Sequence, residues 1–250
     1  MSGQNLLNIL TEFSETYSPV DFMLAAQHAD LFLLGVRNTL ILLAGPLALA
    51  CLFAVPLAIA RASRVAVVNP VLFAYTYLFR GTPLLVQLYL LYYGAAQFSF
   101  IRDSFLWNIL REAWWCAFIS FTLCSTAYIT EILRGAIETV PKGEIEAAKA
   151  CGMSPVILYR RIILPNAFRR ALPAFSNEVI FTLHATVIAS TVTIIDILGA
   201  ARLFNNKYYL AFDGFIVAAL LYMALVYAIN RGFKFWESKW HRHLPQQRTT

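Results

Sequence analysis

Charged residues are scarce in this sequence. Asp, Glu, Lys and Arg together make up 14% of the 250 residues, against about 25% in soluble globular domains. Hydrophobic residues make up 59%, where roughly 45–50% is usual. A soluble fold of this length could not bury that much apolar surface, so the composition excludes an ordinary soluble domain. It predicts instead an all-α membrane protein, in which hydrophobic helices lie in a lipid bilayer.

Several functional patterns are also missing. There is no Gly-Lys-Ser or Gly-Lys-Thr, which excludes an ATP-binding loop of the Walker type. The first 30 residues contain no Lys or Arg, whereas a secretory signal has a basic start, so we expect an uncleaved chain. We predict no metal site and no catalytic residue. The cysteines have neither metal-site nor redox-pair spacing, and we expect all four to be reduced packing residues: Cys51, Cys116, Cys124 and Cys151.

Five apolar segments are long enough to cross a bilayer, which takes about 20 residues of α-helix. The second segment contains Arg80-Gly81-Thr82-Pro83, which should end or bend a helix because proline lacks a backbone N–H. We count it as one span with a break, although it could also form two half-helices. The predicted spans are 31–60, 67–98, 113–133, 172–197 and 212–229.

Most of the 20 basic residues fall on one side of these spans. Because basic residues mark the cytoplasmic side, the N-terminus is predicted to be outside and the C-terminus inside. The predicted organisation is an extracytoplasmic segment (1–30), a membrane domain (31–230) with a polar loop at about 134–170, and a basic cytoplasmic tail (231–250). This topology also accounts for the net charge of +6, so no nucleic-acid partner is expected.

The polar loop contains signals for two short helices. The segment from Glu144 to Cys151 is rich in alanine and is followed by Gly152, a common helix stop. Ser154-Pro155 fits the cap and first turn of a second helix, which is predicted to end near Ile163, before Pro165 breaks or restarts it. The loop could simply cap the bundle, or its small side chains could let a partner protein approach closely.

One pattern in this loop resembles a known family. Glu146-Ala147-Ala148, Gly152, Ile162 and Leu164-Pro165 have the spacing found in the loop of permease subunits of bacterial ABC importers. Residues 79–88 and 127–132 are similar to the polar amino-acid uptake branch of that family. Residues 176–180 and 183–186 look most like the permeases for histidine, lysine, arginine and ornithine, or for the opines octopine and nopaline.

The resemblance implies the type I importer fold in the bacterial inner membrane, with five transmembrane helices, a cytoplasmic coupling-helix loop and no covalent chemistry. It implies two separate ATPase chains that bind ATP and Mg²⁺, a periplasmic amino-acid-binding protein, and a second permease subunit, either a paralogue or an identical copy. The expected cargo is a polar, basic amino acid or an opine. The residues that would couple to the ATPase are Glu146, Ala147, Ala148, Gly152, Leu164 and Pro165.

Polar residues inside the predicted spans are candidates for the substrate pathway, because they are costly in lipid. Glu178, Thr182, Thr186 and Ser190 form a row at spacing four, which stays on one broad face of an α-helix. On that face a carboxylate could bind a cationic substrate. The same residues could instead be hydrogen-bonding groups that hold helices together, and Glu131 could simply pair with Arg134. The candidates are Glu178, Thr182, Thr186, Ser190, His184, Asp196 and Glu131.

The break at Arg80-Gly81-Thr82-Pro83 has two interpretations. A broken helix exposes backbone groups at membrane depth, which is tolerated where protein or water satisfies them, and this predicts a gate or the edge of a cavity. The alternative is a simple kink at which the side chain of Arg80 reaches toward the membrane surface.

Two other functions compete with the importer subunit. An ion-coupled secondary transporter would use Glu178, Asp196 and His184 as a proton or ion relay. A membrane anchor for a soluble enzyme would explain the polar loop but not the polar face of the fourth span.

Overall fold

The computed structural model describes residues 22–63 and 66–240, and every regular element in those ranges is helical. The predicted all-α class is confirmed, whereas residues 1–21 and 241–250, which belong to the predicted terminal segments, lie outside the described residues. Two π-helical turns (Leu90–Gly94 and Tyr159–Ile163) and two 3₁₀ segments (Ala95–Gln97 and Thr186–Val192) adjoin the α-helices. The α-helices are α1 (Phe22–Gln27), α2 (Ala29–Ala62), α3 (Val68–Gly81), α4 (Leu84–Tyr89), α5 (Ser99–Arg102), α6 (Trp107–Leu110), α7 (Ala113–Glu138), α8 (Lys142–Ala150), α9 (Pro155–Leu158), α10 (Leu164–Ala185), α11 (Ile197–Tyr208) and α12 (Asp213–Trp240).

Within the described ranges, four helical stretches are long and apolar enough to cross a membrane. They are Ala29–Ala62, Ala113–Glu138, Pro155–Val192 and Asp213–Glu237, and they correspond to the first, third, fourth and fifth predicted spans. The third and fifth run further than predicted, because their helices continue beyond the apolar segment into polar residues that need not lie in lipid.

The second predicted span is broken where the sequence predicted a break. Helix α3 ends at Gly81, Thr82 is extended (φ −111°, ψ 142°), and α4 begins after Pro83. Gln87 compensates for part of the interruption, because its side-chain amide donates to the carbonyl oxygens of Phe79 (2.9 Å) and Thr82 (3.0 Å). Backbone carbonyls freed by the break therefore have a partner inside the protein, as membrane depth requires.

The fourth predicted span, 172–197, was placed wrongly at its C-terminal end, and its helix begins well before the apolar segment. Helical structure runs from Pro155 through the π-helical turn into α10 and on to Val192, and Thr193 (φ +69°) ends it in the left-handed region. The predicted end near Ile163 agrees with the end of the π-helical turn, and of the two predictions for Pro165 the restart agrees with the structure while the break does not. Pro165 lies in the first turn of α10, directly after the wide π-helical turn Tyr159–Ile163, and in a first turn a missing N–H costs little.

Helix α11 was not predicted, because its sequence carries polar residues between two apolar spans. Asp196 directly precedes it and caps the helix, because its side chain accepts from the backbone N–H of Gly199 (2.8 Å). The helix packs against α2 and α12, and at Gly35 a Cβ atom would lie 2.8 Å from the carbonyl oxygen of Asp196. A signal was present, since four apolar residues of α11 recur at helical spacing and are fully buried: Ile197, Ala200, Ala201 and Phe204.

Helix α7 lies at the centre of the bundle and packs against α2, α3, α4 and α10. Small buried side chains such as Ala117, Ser120 and Ala127 allow this, since helices in membranes approach each other closely through small residues. Large apolar side chains are exposed on the outside instead, for example Leu52 and Tyr77. The fold therefore leaves surfaces that lipid or another subunit has to cover.

Candidate functional site

A cleft of about 440 Å³ lies between the broken second span and the facing sides of α7 and α10. Its size is within the range of small-molecule sites, about 300–1,000 Å³. The break at Arg80-Gly81-Thr82-Pro83 itself forms one wall of this cleft. Its lining residues are Arg80, Gly81, Thr82, Pro83, Leu84, Phe121, Cys124, Ser125, Tyr128, Glu178, Phe181, Thr182 and Ala185.

The polar groups of the cleft join α10 to α7. The carboxylate of Glu178 is buried and accepts a long hydrogen bond from the Thr182 hydroxyl (3.5 Å), which in turn lies 3.3 Å from the hydroxyl of Ser125. Among the described residues no ion pair involves Glu178. A buried carboxylate with so few partners retains most of its capacity to accept hydrogen bonds from a ligand.

Another wall of the cleft carries a cation. The guanidinium of Arg80 lies over the ring of Tyr128, 5.2 Å from its centroid, and the Tyr128 hydroxyl donates to the backbone oxygen of Arg80 (3.3 Å). The ring thereby fixes the broken segment against α7 through both its face and its hydroxyl. The cleft thus combines a carboxylate on one wall with a guanidinium on another, a complement to a molecule that carries both charges.

One side of the cleft is open in the single chain. Phe181, which lines it, is 70% exposed, and Pro83 and Gly81 are exposed as well. The cleft is enclosed only when another surface, lipid or protein, covers this side.

The predicted polar row of the fourth span holds only over part of its length. Glu178 and Thr182 line the cleft, but Thr186 is fully buried and donates to the carbonyl of Leu183 (2.7 Å). Ser190 donates to the carbonyl of Val187 (2.9 Å). The row diverges because the chain tightens into a 3₁₀ segment at Thr186, where each residue turns further than in an α-helix.

Two other pathway candidates lie away from the cleft. His184 is exposed on the outer surface of the chain and is not among the lining residues. Asp196 is fully buried, and its oxygens accept from Gly199 N–H (2.8 Å) and from the Tyr222 hydroxyl (3.1 Å). In this conformation Asp196 caps α11, so the structure does not bring it together with Glu178.

Glu131 is the centre of an ion-pair cluster and is likewise separate from the cleft. Its carboxylate accepts from Arg61 of α2 (3.1 Å), from Arg134 of α7 (2.7 Å) and from the Thr76 hydroxyl of α3 (3.1 Å). Arg134 also pairs with Glu138 (2.7 Å). The predicted pairing with Arg134 is present, and its additional partners tie three helices together at one end of the bundle.

The polar loop has the helix and stop that were predicted. Helix α8 ends at Ala150, and Gly152 follows with φ +74°, a conformation that favours glycine. Glu146 and Ala147 are exposed, whereas Ala148 is buried against the bundle. Asn166 of α10 donates to the Glu144 carboxylate (2.7 Å), so α8 is held against the first turn of α10, which contains Leu164 and Pro165.

Sequence reasoning missed most of the α7 wall of the cleft. Phe121, Cys124, Ser125 and Tyr128 recur at the i, i+3, i+4, i+7 spacing of one helix face. Only Ser125 and Cys124 carry small polar groups, and an aromatic residue on an apolar helix gives no sign that it faces a cleft rather than lipid.

Comparison with known proteins identifies the class to which this fold and this cleft belong. Residues 52–241 match the family of binding-protein-dependent transport system inner membrane components. That match covers most of the chain, so the chain belongs to this family and is a membrane subunit of a transport system.

Curated relatives make the similarity more specific. The chain is 43% identical to the octopine transport system permease protein OccM of Rhizobium radiobacter, over 81% of this chain and 83% of that one. It is also 43% identical to the histidine/lysine/arginine/ornithine transport system permease protein HisM of Salmonella typhimurium, over 85% of this chain and 91% of that one.

Solved structures share the fold. A crystal structure of an amino acid ABC transporter with histidines matches 89% of this chain and all of that chain, with a TM-score of 0.79 and 28% identity. The MetNI methionine ABC transporter in an inward-facing conformation matches with a TM-score of 0.71 at 18% identity, over 84% of this chain and 96% of that one. The predicted importer-permease fold is therefore confirmed.

Proposed function

We propose that this chain is a permease subunit that imports a polar, basic amino acid or an opine with energy from ATP. The substrate class is inferred from the cleft, where Glu178 and Arg80 lie on different walls and supply a carboxylate and a guanidinium. The names of the relatives, which transport octopine or histidine, lysine, arginine and ornithine, support the same class.

In this proposal the substrate binds by charge pairing. Glu178 accepts hydrogen bonds from the ammonium or guanidinium group of the substrate's side chain. Arg80 donates to the substrate's carboxylate through the planar N–H groups of its guanidinium. Thr182 and Ser125 add hydroxyls that can bind either end. The apolar surfaces of Phe121, Leu84 and Phe181 exclude water and strengthen these interactions.

Coupling to ATP is assigned to the polar loop. The exposed surface around Glu146, Ala147 and Gly152 would dock on a separate ATPase subunit, which binds ATP and Mg²⁺. The loop leads directly into the continuous helical stretch Pro155–Val192, which carries Glu178 and Thr182. A displacement of the loop would therefore move one wall of the cleft, and the cleft would open alternately to the two sides of the membrane.

The proposed assembly contains four further chains. A second permease, either a paralogue or an identical copy, would close the open side of the cleft beside Phe181. Two ATPase subunits would bind the coupling loops, and a periplasmic binding protein would deliver the substrate. This places the N-terminus in the periplasm and the basic C-terminal tail in the cytoplasm of a bacterial inner membrane. Family membership favours this proposal over a secondary transporter or an anchor.

Uptake into vesicles tests the proposal. The chain would be co-expressed with its neighbouring permease and ATPase genes and supplied with binding protein and labelled arginine, histidine or octopine. We expect ATP-dependent uptake, which Gly152→Asp in the loop abolishes because it combines a positive φ with a new charge at the docking surface. The matched control is Gly232→Asp, which adds the same carboxylate on α12, where nothing lies within 4 Å of a Cβ atom.

Three outcomes would contradict the proposal. These are failure of an ATPase to co-purify with the unaltered chain, uptake that follows a proton gradient in the absence of ATP, and equal loss of uptake in both glycine variants. The last would mean that the loop has no special role.

A further inference from the structure

A second cavity differs from the cleft in chemistry and position. It has a volume of about 210 Å³ and lies between α2, α7, α10 and α12. We call it the apolar groove. Apart from the thiol of Cys51, its lining consists of aliphatic and aromatic side chains: Cys51, Val55, Ile129, Ile132, Leu133, Phe168, Ala171, Leu172, Phe175 and Trp236. It shares no lining residue with the cleft, so it is not an extension of the proposed substrate path.

The groove has a buried floor and an exposed rim. Ile129, Leu133 and Ala171 on its floor are at most 6% exposed, whereas Phe168 and Trp236 on its rim are 39% and 60% exposed. A cavity of about 150 Å³ with such a lining stays free of water and takes up benzene. The larger groove is therefore suited to an apolar chain that enters from the side.

The groove begins at the level of basic residues and extends inward along the helices. Phe168 and Trp236 on its rim lie within two residues of Arg169 and Lys234. At a rise of about 1.5 Å per residue, Cys51 and Ile129 lie roughly 14–17 Å from the ends of α2 and α7. Tryptophan is enriched at the membrane–water interface, so we infer that the rim lies at head-group level and that the floor faces the acyl chains.

At the same end of the bundle, several basic side chains form no ion pair within the described part of the chain. Arg61 and Arg134 are neutralised there by Glu131 and Glu138. Among the described residues, no ion pair involves any of six exposed basic residues on the stretch that leads into α10 and on the last part of α12: Arg160, Arg161, Arg169, Arg170, Arg231 and Lys234.

We propose that the apolar groove binds an acyl chain of an anionic phospholipid, whose phosphate is bound by these basic side chains. Basic surroundings of a pocket between transmembrane helices suit anionic lipid head groups, and the groove offers almost no polar atom to a soluble ligand. The inference rests on membership of the membrane family and not on the proposed substrate.

A lipid in the groove would affect the transport helices. Phe175 of α10 contacts Phe233 of α12 (centroids 5.9 Å apart), and Phe233 contacts Trp236 (6.4 Å). An acyl chain beside these rings would hold α10, which carries Glu178, against α12. We therefore expect the transport rate to depend on the anionic lipid content of the membrane.

Fluorescence of Trp236 tests this inference in the full complex. The permease with its partner subunits would be placed in nanodiscs that contain phosphatidylglycerol or phosphatidylcholine with brominated acyl chains, which quench nearby tryptophan. The contribution of Trp236 is obtained by subtracting the tryptophan fluorescence of the Trp236→Phe variant from that of the unaltered chain. We expect half-quenching at a mole fraction of phosphatidylglycerol at least fivefold below that of phosphatidylcholine, and we expect salt to reduce this preference.

Two sets of variants separate the groove from the general lipid surface. Ala171→Phe places a ring on the floor and should abolish the preference, whereas Leu52→Phe, on the exposed face of α2, should preserve it. Since Ala171→Phe could also impair folding, Arg169→Gln and Lys234→Gln alter only exposed charges. Each of these two changes should clearly reduce the preference for phosphatidylglycerol, by up to about fivefold.

Three results would overturn the inference. Equal quenching by both lipids would mean that Trp236 meets only bulk lipid. Absence of quenching by either lipid would mean that a protein subunit covers the groove. An unchanged preference in folded Ala171→Phe would place the lipid elsewhere.

Discussion

Glu131 and Glu178 are both shielded carboxylates on membrane-spanning helices, but their surroundings differ. Glu131 accepts hydrogen bonds from two arginines and a threonine, all at 3.1 Å or less. The hydrogen bond that Glu178 accepts comes from Thr182, at 3.5 Å, and an open cleft lies beside it. A carboxylate whose partners are supplied by the fold stabilises the fold, whereas one with unused capacity beside a cleft is available to a substrate. Four substitutions sharpen or break this comparison.

The largest effect is expected for Glu178→Gln. The change keeps the shape of the side chain and removes its charge, so transport of arginine should fall about 30- to 100-fold in kcat/KM, as expected when one partner of a shielded charge pair is lost. The melting temperature of the purified complex should hardly change. Glu112→Gln, at an exposed glutamate directly before α7, is the matched control. Unaltered arginine uptake in Glu178→Gln would show that the carboxylate does not bind the substrate.

Glu131→Gln should have the opposite pattern. Removal of the charge leaves Arg61 and Arg134 without their shared partner, which should lower the free energy of unfolding by about 2–3 kcal/mol. Thermal unfolding in detergent measures this loss. KM for the substrate should remain within about twofold of its original value. A large increase in KM without a change in stability would place Glu131 in the substrate path and contradict the comparison.

Asp196→Ala should cost less than Glu131→Gln. It removes the cap of α11 and leaves the hydroxyl of Tyr222 without its acceptor, so we expect a loss of about 1–2 kcal/mol in the free energy of unfolding. The same thermal assay applies, and Asp213→Ala in the first turn of α12 serves for comparison. If Asp196→Ala were stable but inactive, the interpretation of Asp196 as a helix cap would have to be abandoned.

The smallest effect is expected for Ser125→Ala. It removes the hydroxyl that lies 3.3 Å from Thr182, and one neutral hydrogen bond contributes about 1 kcal/mol. KM should therefore rise by up to about fivefold, with no change in melting temperature. Ser120→Ala, which is buried on the same helix but outside the cleft, should leave KM unaltered. Equal effects of the two changes would indicate general repacking of α7.

The sequence predicted the spans well where a single physical rule decides. Long apolar runs become helices in lipid, and Pro83 with Gly81 breaks one of them. At Pro165 the chain restarts a helix and does not break one, because the proline lies in the first turn of α10 after the π-helical turn. The rule failed for α11, because the burial of that helix depends on contacts with α2 and α12 that are distant in the chain.

The candidate site was predicted in part for a similar reason. Glu178 and Thr182 could be recognised as polar residues in an apolar segment, and they do line the cleft. The spacing of Thr186 and Ser190 was calculated for an α-helix, and the 3₁₀ segment invalidates it. Whether Glu131 or Asp196 has a partner is a property of the folded chain, since Arg61 is 70 residues from Glu131 and Tyr222 is 26 residues from Asp196.

The uninterrupted helical stretch from Pro155 to Val192 fixes an angular relation between the loop and the cleft. Each residue of an α-helix advances the phase by about 100°. One residue inserted between Leu164 and Glu178 would turn the carboxylate away from the cleft without altering any side chain at either end. An insertion at Gly152, before the stretch begins, would leave that phase unchanged. The length of α10 thus carries as much functional information as its polar residues do.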